Sequence, residues 1–426
     1  MHIQELKLNH YRGARDLSIT LREHLNVFVG MNGAGKSTLL DAAATLLSWL
    51  VNRIKGSGSS GQPITEKEIM NGWPSANLSL ALNIDNNLYQ WGIAKARKNS
   101  AAKEFTSDLS AVSSLAKKIQ SELLTQEAQA KLPLFVYYPV NRSVLDIPLR
   151  IREKHRFDLL SCYDHALGGG ANFRTFFEWF REREDLENEA YRDLNSFFPE
   201  HARTAYPDPQ LTAVREALEQ LMPSFKNLTV RRSPLRMEVE KNGQLLTVNQ
   251  LSDGEKCLMA MIGDMARRMA IANSKLEKPL TGEGIFLIDE IDLHLHPSWQ
   301  QMIIPRLTNV FPNCQFLIST HSPHVITHVQ AENLFLLNMY DGRLDWQAAG
   351  ESYGKTAERV LEDLMGLETT RPKEIDQEIK EVFAQISNGE LDKARNLIQK
   401  LQTRIGADPE LIKANVLIRR KELIDK

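Results

Sequence analysis

A glycine-rich segment at residues 30–38 has the residue types and the spacing needed to hold phosphate groups. Gly30, Gly35, Lys36 and Ser37 match the pattern G-x-x-x-x-G-K-[ST]. Glycines let the backbone curl so that several N–H groups point at one anion, whose approach side chains would block. The segment is therefore predicted to bind a nucleotide through Gly30, Asn32, Gly33, Ala34, Gly35, Lys36, Ser37 and Thr38.

The residues on either side of this segment predict a strand before it and a helix after it. Residues 25–29 form an apolar run, and leucines and alanines recur at helical spacing between positions 39 and 50. A helix beginning near Lys36 adds the positive end of its dipole to the site. Lys36 is then expected to reach the β- and γ-phosphates, and Ser37 to hold Mg²⁺. Because both flanking elements are recognisable, a glycine-rich turn without chemical use is disfavoured.

Two acids follow a second apolar run, and a histidine follows a third. Residues 285–288 lead into Asp289 and Glu290, and residues 315–320 lead into His321. Ligands of parallel sheets bind at the carboxyl ends of the strands. Asp289 is expected near Mg²⁺, Glu290 as a general base towards water, and His321 as a hydrogen-bonding partner of the γ-phosphate. The alternative is that these polar residues only end their strands.

A second anion site is predicted where a long apolar helix opens at residues 251–256. Ser252 suits the N-cap position and Glu255 stands three residues later, as in a capping box. One interpretation is only a well-capped helix; the other is that Ser252, Gly254 and Glu255 bind a phosphate at the helix N-terminus. Arg12, in a predicted turn between two alternating strands, either touches phosphate or belongs to a surface turn.

Composition excludes several classes of protein. The chain has 426 residues, 42% hydrophobic and 25% charged, as in ordinary globular proteins. A net charge of −2 does not indicate a nucleic-acid binder, so any DNA contact would need a local patch or a partner. Three cysteines without a CxxC pair favour a reducing compartment. Neither a signal peptide nor an apolar run of about 18 residues is found, so we expect a cytoplasmic protein without a membrane span.

Other segments are interpreted more plainly. The Gly/Ser-rich residues 56–63 predict a linker or mobile loop. Basic residues between 150 and 156 could meet DNA or a partner, but a solvated face is favoured. An aromatic helix near residues 173–180 is predicted to be core. A metal site at His294 and His296 is disfavoured because no third ligand is arranged nearby.

In this order, the motifs resemble those of the ATP-binding-cassette ATPases. The Walker A motif matches residues 30–38, the signature 251–255, Walker B 285–290, the D-loop 292–297 and the switch histidine His321. The resemblance implies an α/β head with an antiparallel β lobe, ATP and Mg²⁺ as ligands, and two chains that sandwich ATP between Walker A and the partner's signature. A clear Q-loop glutamine is missing: Gln62 lies in the Gly/Ser-rich stretch, and Asn141 or Arg142 are the possible substitutes.

Within these ATPases the chain is similar to the RecF, SMC and OLD-like branch. The opening Leu-Asn-His-Tyr-Arg-Gly, the Asp-Glu-Ile-Asp run and Ser-Thr-His-Ser-Pro carry the likeness, together with about two hundred residues between Walker A and the signature. The layout most resembles the PtuA family of Septu-type defence systems, also found beside retrons. That resemblance implies a homodimer or higher oligomer that controls a separate HNH nuclease of the PtuB type, with nucleic acid reached through the complex.

The resulting domain prediction has four parts. Residues 1–149 form an ATPase lobe with Walker A, 150–227 a helical insertion, 228–350 the lobe with signature, Walker B and His321, and 351–426 a helical tail. The tail is interpreted either as a docking surface or as a cap on the core. Two other functions remain open: a RecF-like repair ATPase that binds DNA directly, and an ATP sensor that does not hydrolyse.

Overall fold

A computed structural model describes residues 1–98, 104–125, 132–140, 157–168, 173–197 and 207–424. The basic residues between 150 and 156, and Asn141 and Arg142, lie outside this part of the chain. The described chain divides into two compact units, Met1–Lys355 and Thr356–Lys426. The four-part domain division stays a prediction.

The larger unit combines strands and helices. Its strands are β1 His2–Tyr11, β2 Ala14–Thr20, β3 Leu25–Val29, β4 Ser75–Ile84, β5 Asn87–Ala96, β6 Leu134–Tyr138, β7 Phe225–Arg232, β8 Leu235–Lys241, β9 Gln244–Thr247, β10 Gly284–Ile288, β11 Cys314–Thr320, β12 Leu334–Tyr340 and β13 Arg343–Ala348. Its α-helices are α1 Lys36–Lys55, α2 Ser110–Thr125, α3 Phe173–Phe197, α4 Pro209–Leu221, α5 Asp253–Ala272, α6 Pro297–Val310 and α7 Pro323–Ile326. Short 3₁₀ helices lie at Glu66–Glu68, Leu159–Tyr163, Val248–Gln250, Pro279–Thr281 and Ala331–Asn333.

A six-stranded sheet forms the centre of this unit, in the order β13-β12-β3-β11-β10-β6. All of its neighbours are parallel except β13, which returns antiparallel to β12. Strands β6, β10 and β11 are buried along their whole length, which explains the apolar runs at residues 134–138, 284–288 and 316–318. Since Val29 pairs with Thr320 and Ile288 pairs with both Ile318 and Tyr138, the strand ends meet at one edge.

The predicted antiparallel lobe is a four-stranded sheet in the order β2-β1-β4-β5. Asp85 and Asn86 both have positive φ, as the two-residue hairpin turn between β4 and β5 requires. Gln315, fully buried in β11, fastens this sheet to the central one. Its side chain accepts from the Ile3 N–H at 2.7 Å and donates to the Ile3 carbonyl at 2.9 Å.

A third sheet, β7-β8-β9, leads into α5. The Asn242–Gly243 turn joins β8 to β9 with positive φ at both residues. Helix α3 lies against α5, where a Cβ on Gly263 would stand 2.7 Å from the ring of Phe176. The aromatic residues predicted to be core are indeed buried: Phe173, Phe176, Phe177, Trp179 and Phe180.

The Gly/Ser-rich loop is hydrogen-bonded to α1 and contains no regular secondary structure, and its mobility stays a prediction. The Gln62 N–H donates to Ser48 Oγ at 2.7 Å, and Trp49 Nε1 donates to the Gln62 carbonyl at 3.0 Å. Asn52 donates to the carbonyl of Ser60 at 2.8 Å. Glycine-rich sequence supplies few contacts of its own, and here the polar side chains of the helix supply them.

The second unit is helical, as its periodicity predicts. It contains α8 Ala357–Asp363, α9 Lys373–Ser387, α10 Leu391–Ile405 and α11 Pro409–Ile424. The last three helices bury a common core of Ile379, Val382, Ile386, Ala394, Ile398, Leu401, Leu411, Ala414 and Ile418. Throughout the described chain, every helix is too short or too polar to cross a bilayer.

Candidate nucleotide site

The glycine-rich loop connects β3 to α1 at the carboxyl edge of the central sheet. Gly33 and Gly35 have φ of 81° and 87°, in the left-handed region that favours glycine. Gly30 is required for a different reason, because a Cβ there would stand 2.4 Å from the carbonyl oxygen of Leu337. The loop therefore keeps the curled backbone that its sequence predicts.

Lys36, the first residue of α1, is directed back across this loop. Its ammonium donates to the carbonyls of Gly30 at 3.0 Å and Met31 at 3.1 Å. The residue is only 5% exposed. Burial lowers the pKa of Lys36 to about 8, against the opposing field of Asp289, Glu290 and Asp292. A buried ammonium beside a glycine-rich loop is well placed to exchange carbonyl contacts for phosphate oxygens.

The two predicted acids follow β10, one strand beyond β11 in the sheet. Asp289 is 2% exposed, and its Oδ1 accepts from Ser319 Oγ at 2.5 Å. The same hydroxyl accepts from the Glu290 N–H at 2.7 Å. Glu290 has a left-handed φ of 47°, a strained conformation for a residue with a side chain. Ser319 thus fixes both acids at the end of their strand.

His321 lies between the lysine and the second acid. Its Nδ1 stands 3.4 Å from Lys36 Nζ, and its Nε2 stands 3.8 Å from Glu290 Oε1. Burial and the Lys36 charge together lower the pKa of His321. The imidazole is therefore neutral at pH 7 and keeps one donor and one acceptor nitrogen. The D-loop beside it is held by Thr320 Oγ1, which donates to Asp292 Oδ1 at 2.5 Å.

The signature residues open α5 as predicted. Ser252 is the N-cap; its N–H donates to Glu255 Oε2 at 3.0 Å, and its Oγ accepts from the Glu255 N–H at 3.4 Å. Lys241 pairs with Glu255 at 2.7 Å, and a Cβ on Gly254 would stand 2.1 Å from the His294 carbonyl oxygen. Within the described residues, the hydrogen bonds and ion pairs of Ser252 and Glu255 do not reach residues 30–38.

Arg12 is engaged by two carboxylates. Its guanidinium lies 2.5 Å from Asp41 Oδ2 on α1 and 2.8 Å from Glu68 Oε1. Its backbone N–H also donates to the Glu68 carbonyl at 2.7 Å. The predicted phosphate contact would require Arg12 to exchange at least one of these partners, and it stays a prediction.

Several residues of the site belong to no recognisable sequence motif and were not predicted. Ser319 and Thr320 orient the acids and the D-loop, and Tyr137 donates to Asp41 Oδ1 at 2.7 Å. Their only sequence signal is a polar side chain at the end of an apolar strand.

The residues fit Mg²⁺ with ATP: one carboxylate, Asp289, and the Ser37 hydroxyl leave positions for phosphate oxygens and water. A metal cage of three or more His, Cys, Asp or Glu side chains is not found within the described ranges.

Fold and site together are those of a P-loop ATPase of the α/β class. Residues 25–327 match the family described as "AAA domain, putative AbiEii toxin, Type IV TA system". The retron Ec83 probable ATPase of Escherichia coli is 30% identical, with 97% of this chain and 85% of the relative covered. The retron Vc95 probable ATPase of Vibrio cholerae is 31% identical, covering 85% and 78%. The Septu protein PtuA of Bacillus thuringiensis is 25% identical, covering 87% and 85%.

The chain therefore belongs to this AAA-domain family, and its homologues include retron probable ATPases and the Septu protein PtuA. The resemblance inferred from the motifs is confirmed by these matches.

Proposed function

We propose that the chain is the ATP-binding and ATP-hydrolysing subunit of an anti-phage defence complex. In this proposal it works in the cytoplasm and controls a partner HNH nuclease through ATP-dependent dimerisation. Its relationship to retron ATPases and Septu PtuA supports the biological setting. The chemical part is carried by one observation: Lys36, Glu290 and His321 meet at one edge of a parallel sheet.

The proposed reaction assigns one task to each of these side chains. Lys36 binds the β- and γ-phosphates, and His321 donates to an oxygen of the γ-phosphate. Glu290 accepts a proton from water as the water oxygen attacks the γ-phosphorus and ADP departs. Ser37 and Asp289 would hold Mg²⁺, which when bound neutralises charge on the phosphate oxygens.

We propose dimerisation because the two predicted anion-binding elements, the phosphate loop and the N-terminus of α5, pack against different parts of the chain. Ser252 caps α5, whose first turn packs on His294 and Lys241, while the phosphate loop packs on Leu337 and its hairpin. A second copy would bring its own Ser252 to the γ-phosphate. ATP then joins two chains, and the nuclease partner would respond to that joined state.

The first experiment separates binding from hydrolysis. Lys36→Ala should abolish ATP binding, whereas Glu290→Gln should keep binding and lower phosphate release by about a hundredfold or more. Both should lose protection against phage in cells that also carry the nuclease gene. Lys118→Ala and Glu122→Gln, on the exposed face of α2, are the matched controls.

Different results would favour the other functions. If both site variants keep protection with the nuclease gene present, ATP does not control the defence. A wild-type protein that dimerises with ATP but releases no phosphate would be a sensor. ATP-dependent DNA binding by the purified chain alone, with a steep dependence on salt, would favour a RecF-like repair ATPase.

A further inference from the structure

Two consecutive tyrosines end β6, the edge strand of the central sheet. Tyr138 is fully buried and Tyr137 is 7% exposed. Because successive side chains of a strand point to opposite faces, the two rings enter different layers. The Tyr137 hydroxyl donates to Asp41 Oδ1 on α1 at 2.7 Å, and the Tyr138 hydroxyl donates to Asp264 Oδ2 on α5 at 2.9 Å. One dipeptide thus holds both the phosphate-loop helix and the signature helix.

The backbone of the same dipeptide holds the acids. Tyr138 pairs with Ile288 in the parallel ladder, and its carbonyl accepts from the Asp289 N–H at 2.9 Å. Pro139 follows and cannot donate to a ladder, so the pairing stops at this point. Any shift at the end of β6 therefore acts directly on the start of the acid pair.

The contact on α5 is a buried ionic cluster. Asp264 is fully buried between Arg267 and Arg268, each at 2.7 Å. Although burial alone would raise the pKa of Asp264, the charges of Arg268 and Arg267 lower it, so the carboxylate stays ionised. Burial also raises the pKa of Tyr138, which keeps its hydroxyl a proton donor. This hydrogen bond to a charge is stronger than one between neutral groups.

Helix α5 connects the ionic cluster around Asp264 to the signature residues at the N-terminus of the helix. Asp264 lies twelve residues beyond Ser252, so the two are about 18 Å apart along the helix axis. A displacement of the Ser252 end is carried by the whole helix, because α5 runs unbroken from Asp253 to Ala272. From Asp264 the hydrogen bond of Tyr138 and the Tyr138 carbonyl continue this path to the Asp289 N–H.

We propose that Tyr138 is a positioning residue that couples the signature helix to the acid pair Asp289 and Glu290. The inference rests on the proposed function, because the displacement arises when Ser252 engages a nucleotide held by a second copy.

The test compares Tyr138→Phe with Tyr163→Phe. Tyr163 is equally buried, but its hydroxyl donates to the Pro133 carbonyl, before β6 begins. Tyr138→Phe should lower kcat for ATP hydrolysis by about tenfold while KM for ATP changes by less than about twofold. Tyr163→Phe should leave both constants near the wild-type values once folding is verified by thermal melting.

A second readout distinguishes coupling from a merely structural role. Amide hydrogen exchange of residues 284–290, which include the Asp289 N–H, is measured with and without Mg²⁺ and ATP, for wild type and both variants. Coupling requires ATP-dependent protection in wild type and in Tyr163→Phe, and its loss in Tyr138→Phe. Equal protection in all three proteins, or equal loss of kcat in both variants, overturns the inference while the proposed ATPase function stands.

Two other results have to be considered: a Tyr138→Phe variant that does not fold, and a wild-type protein that does not hydrolyse ATP. If Tyr138→Phe does not fold, Ser252→Ala tests the other end of the path: the ATP-dependent protection of residues 284–290 should be lost, and retained protection overturns the inference. If wild type releases no phosphate above the level of Lys36→Ala, the proposed hydrolysis fails first, and the coupling inference falls with it.

Discussion

The lowered pKa of Lys36 predicts that ATP binding takes up a proton in alkaline solution. Burial places this pKa at about 8. Phosphate oxygens favour the charged ammonium, so bound ATP raises the pKa and binding draws a proton wherever Lys36 was neutral. With a pKa of about 8, the uptake per site should be about 0.1 proton at pH 7, about 0.5 at pH 8 and about 0.9 at pH 9.

The same linkage fixes the direction of the affinity change. Above pH 8 the ammonium must first be formed, so Kd for ATP should rise, approaching about tenfold per pH unit. Below pH 7 Lys36 is already charged and contributes no further change. Neither His321 nor the phosphates obscure the effect at pH 9, because His321 has a lowered pKa and a phosphate ester, whose second pKa is about 6, is fully ionised at pH 9.

Calorimetry in two buffers of different ionisation enthalpy measures this proton directly. The titration uses an ATP analogue that cannot be hydrolysed, so that hydrolysis contributes no heat and the charge of Glu290, which acts on the pKa of Lys36, is kept. A Lys36→Arg variant is the matched control, since a guanidinium stays charged throughout and its binding should take up no proton from this position. Uptake near zero at pH 9 in the Lys36 protein, with Kd equal to that at pH 7, would refute the buried-ammonium reasoning.

Three more substitutions test the surroundings of the site. Ser319→Ala removes the hydroxyl that orients both acids, so half-maximal hydrolysis should need about 10- to 100-fold more Mg²⁺, measured as phosphate release against Mg²⁺ concentration. Gly254→Ala places a methyl group 2.1 Å from the His294 carbonyl oxygen, so ATP should still bind, but light scattering should show no ATP-dependent dimer. Arg12→Ala removes two ion pairs and should lower the free energy of unfolding by about 1 kcal/mol in urea titrations.

Each substitution has a control of similar chemistry. Ser18→Ala removes an exposed hydroxyl in β2, and an identical Mg²⁺ requirement in this variant and Ser319→Ala would contradict the first expectation. Gly350→Ala adds a methyl group in open space, where dimerisation should persist. Glu68→Gln weakens one partner of Arg12; a loss of ATP affinity confined to Arg12→Ala would isolate the predicted phosphate contact.

The motifs were predictable because each depends on local sequence. The phosphate loop needs glycines at fixed positions, and its φ angles at Gly33 and Gly35 follow from the pattern. The capping box of Ser252 and Glu255 is encoded within four residues. The meeting of Lys36, Glu290 and His321 also followed, because parallel strands end at a common edge.

Partners far apart in sequence were not predictable. Arg12 meets Glu68 across 56 positions, and Tyr138 meets Asp264 across 126, without a pattern that links either pair. The sequence places Ser319 only near the end of a buried strand, although its hydroxyl binds the Asp289 carboxylate and the Glu290 N–H. The contacts of the Gly/Ser-rich loop were not predictable for the same reason, since the side chains that bind it, such as Ser48, belong to α1.

The capping box has a consequence for how two copies would assemble. Ser252 and Glu255 satisfy each other's backbone within one chain, so the first turn of α5 is ordered before any second copy arrives. Gly254 lies directly against the His294 carbonyl, which fixes this turn relative to the D-loop. In the proposed dimer, association would then order few new groups, and its free energy would depend mainly on the phosphates held between Lys36 of one copy and Ser252 of the other. The lifetime of this dimer would therefore be set by the γ-phosphate, whose departure would remove the charge that both surfaces share.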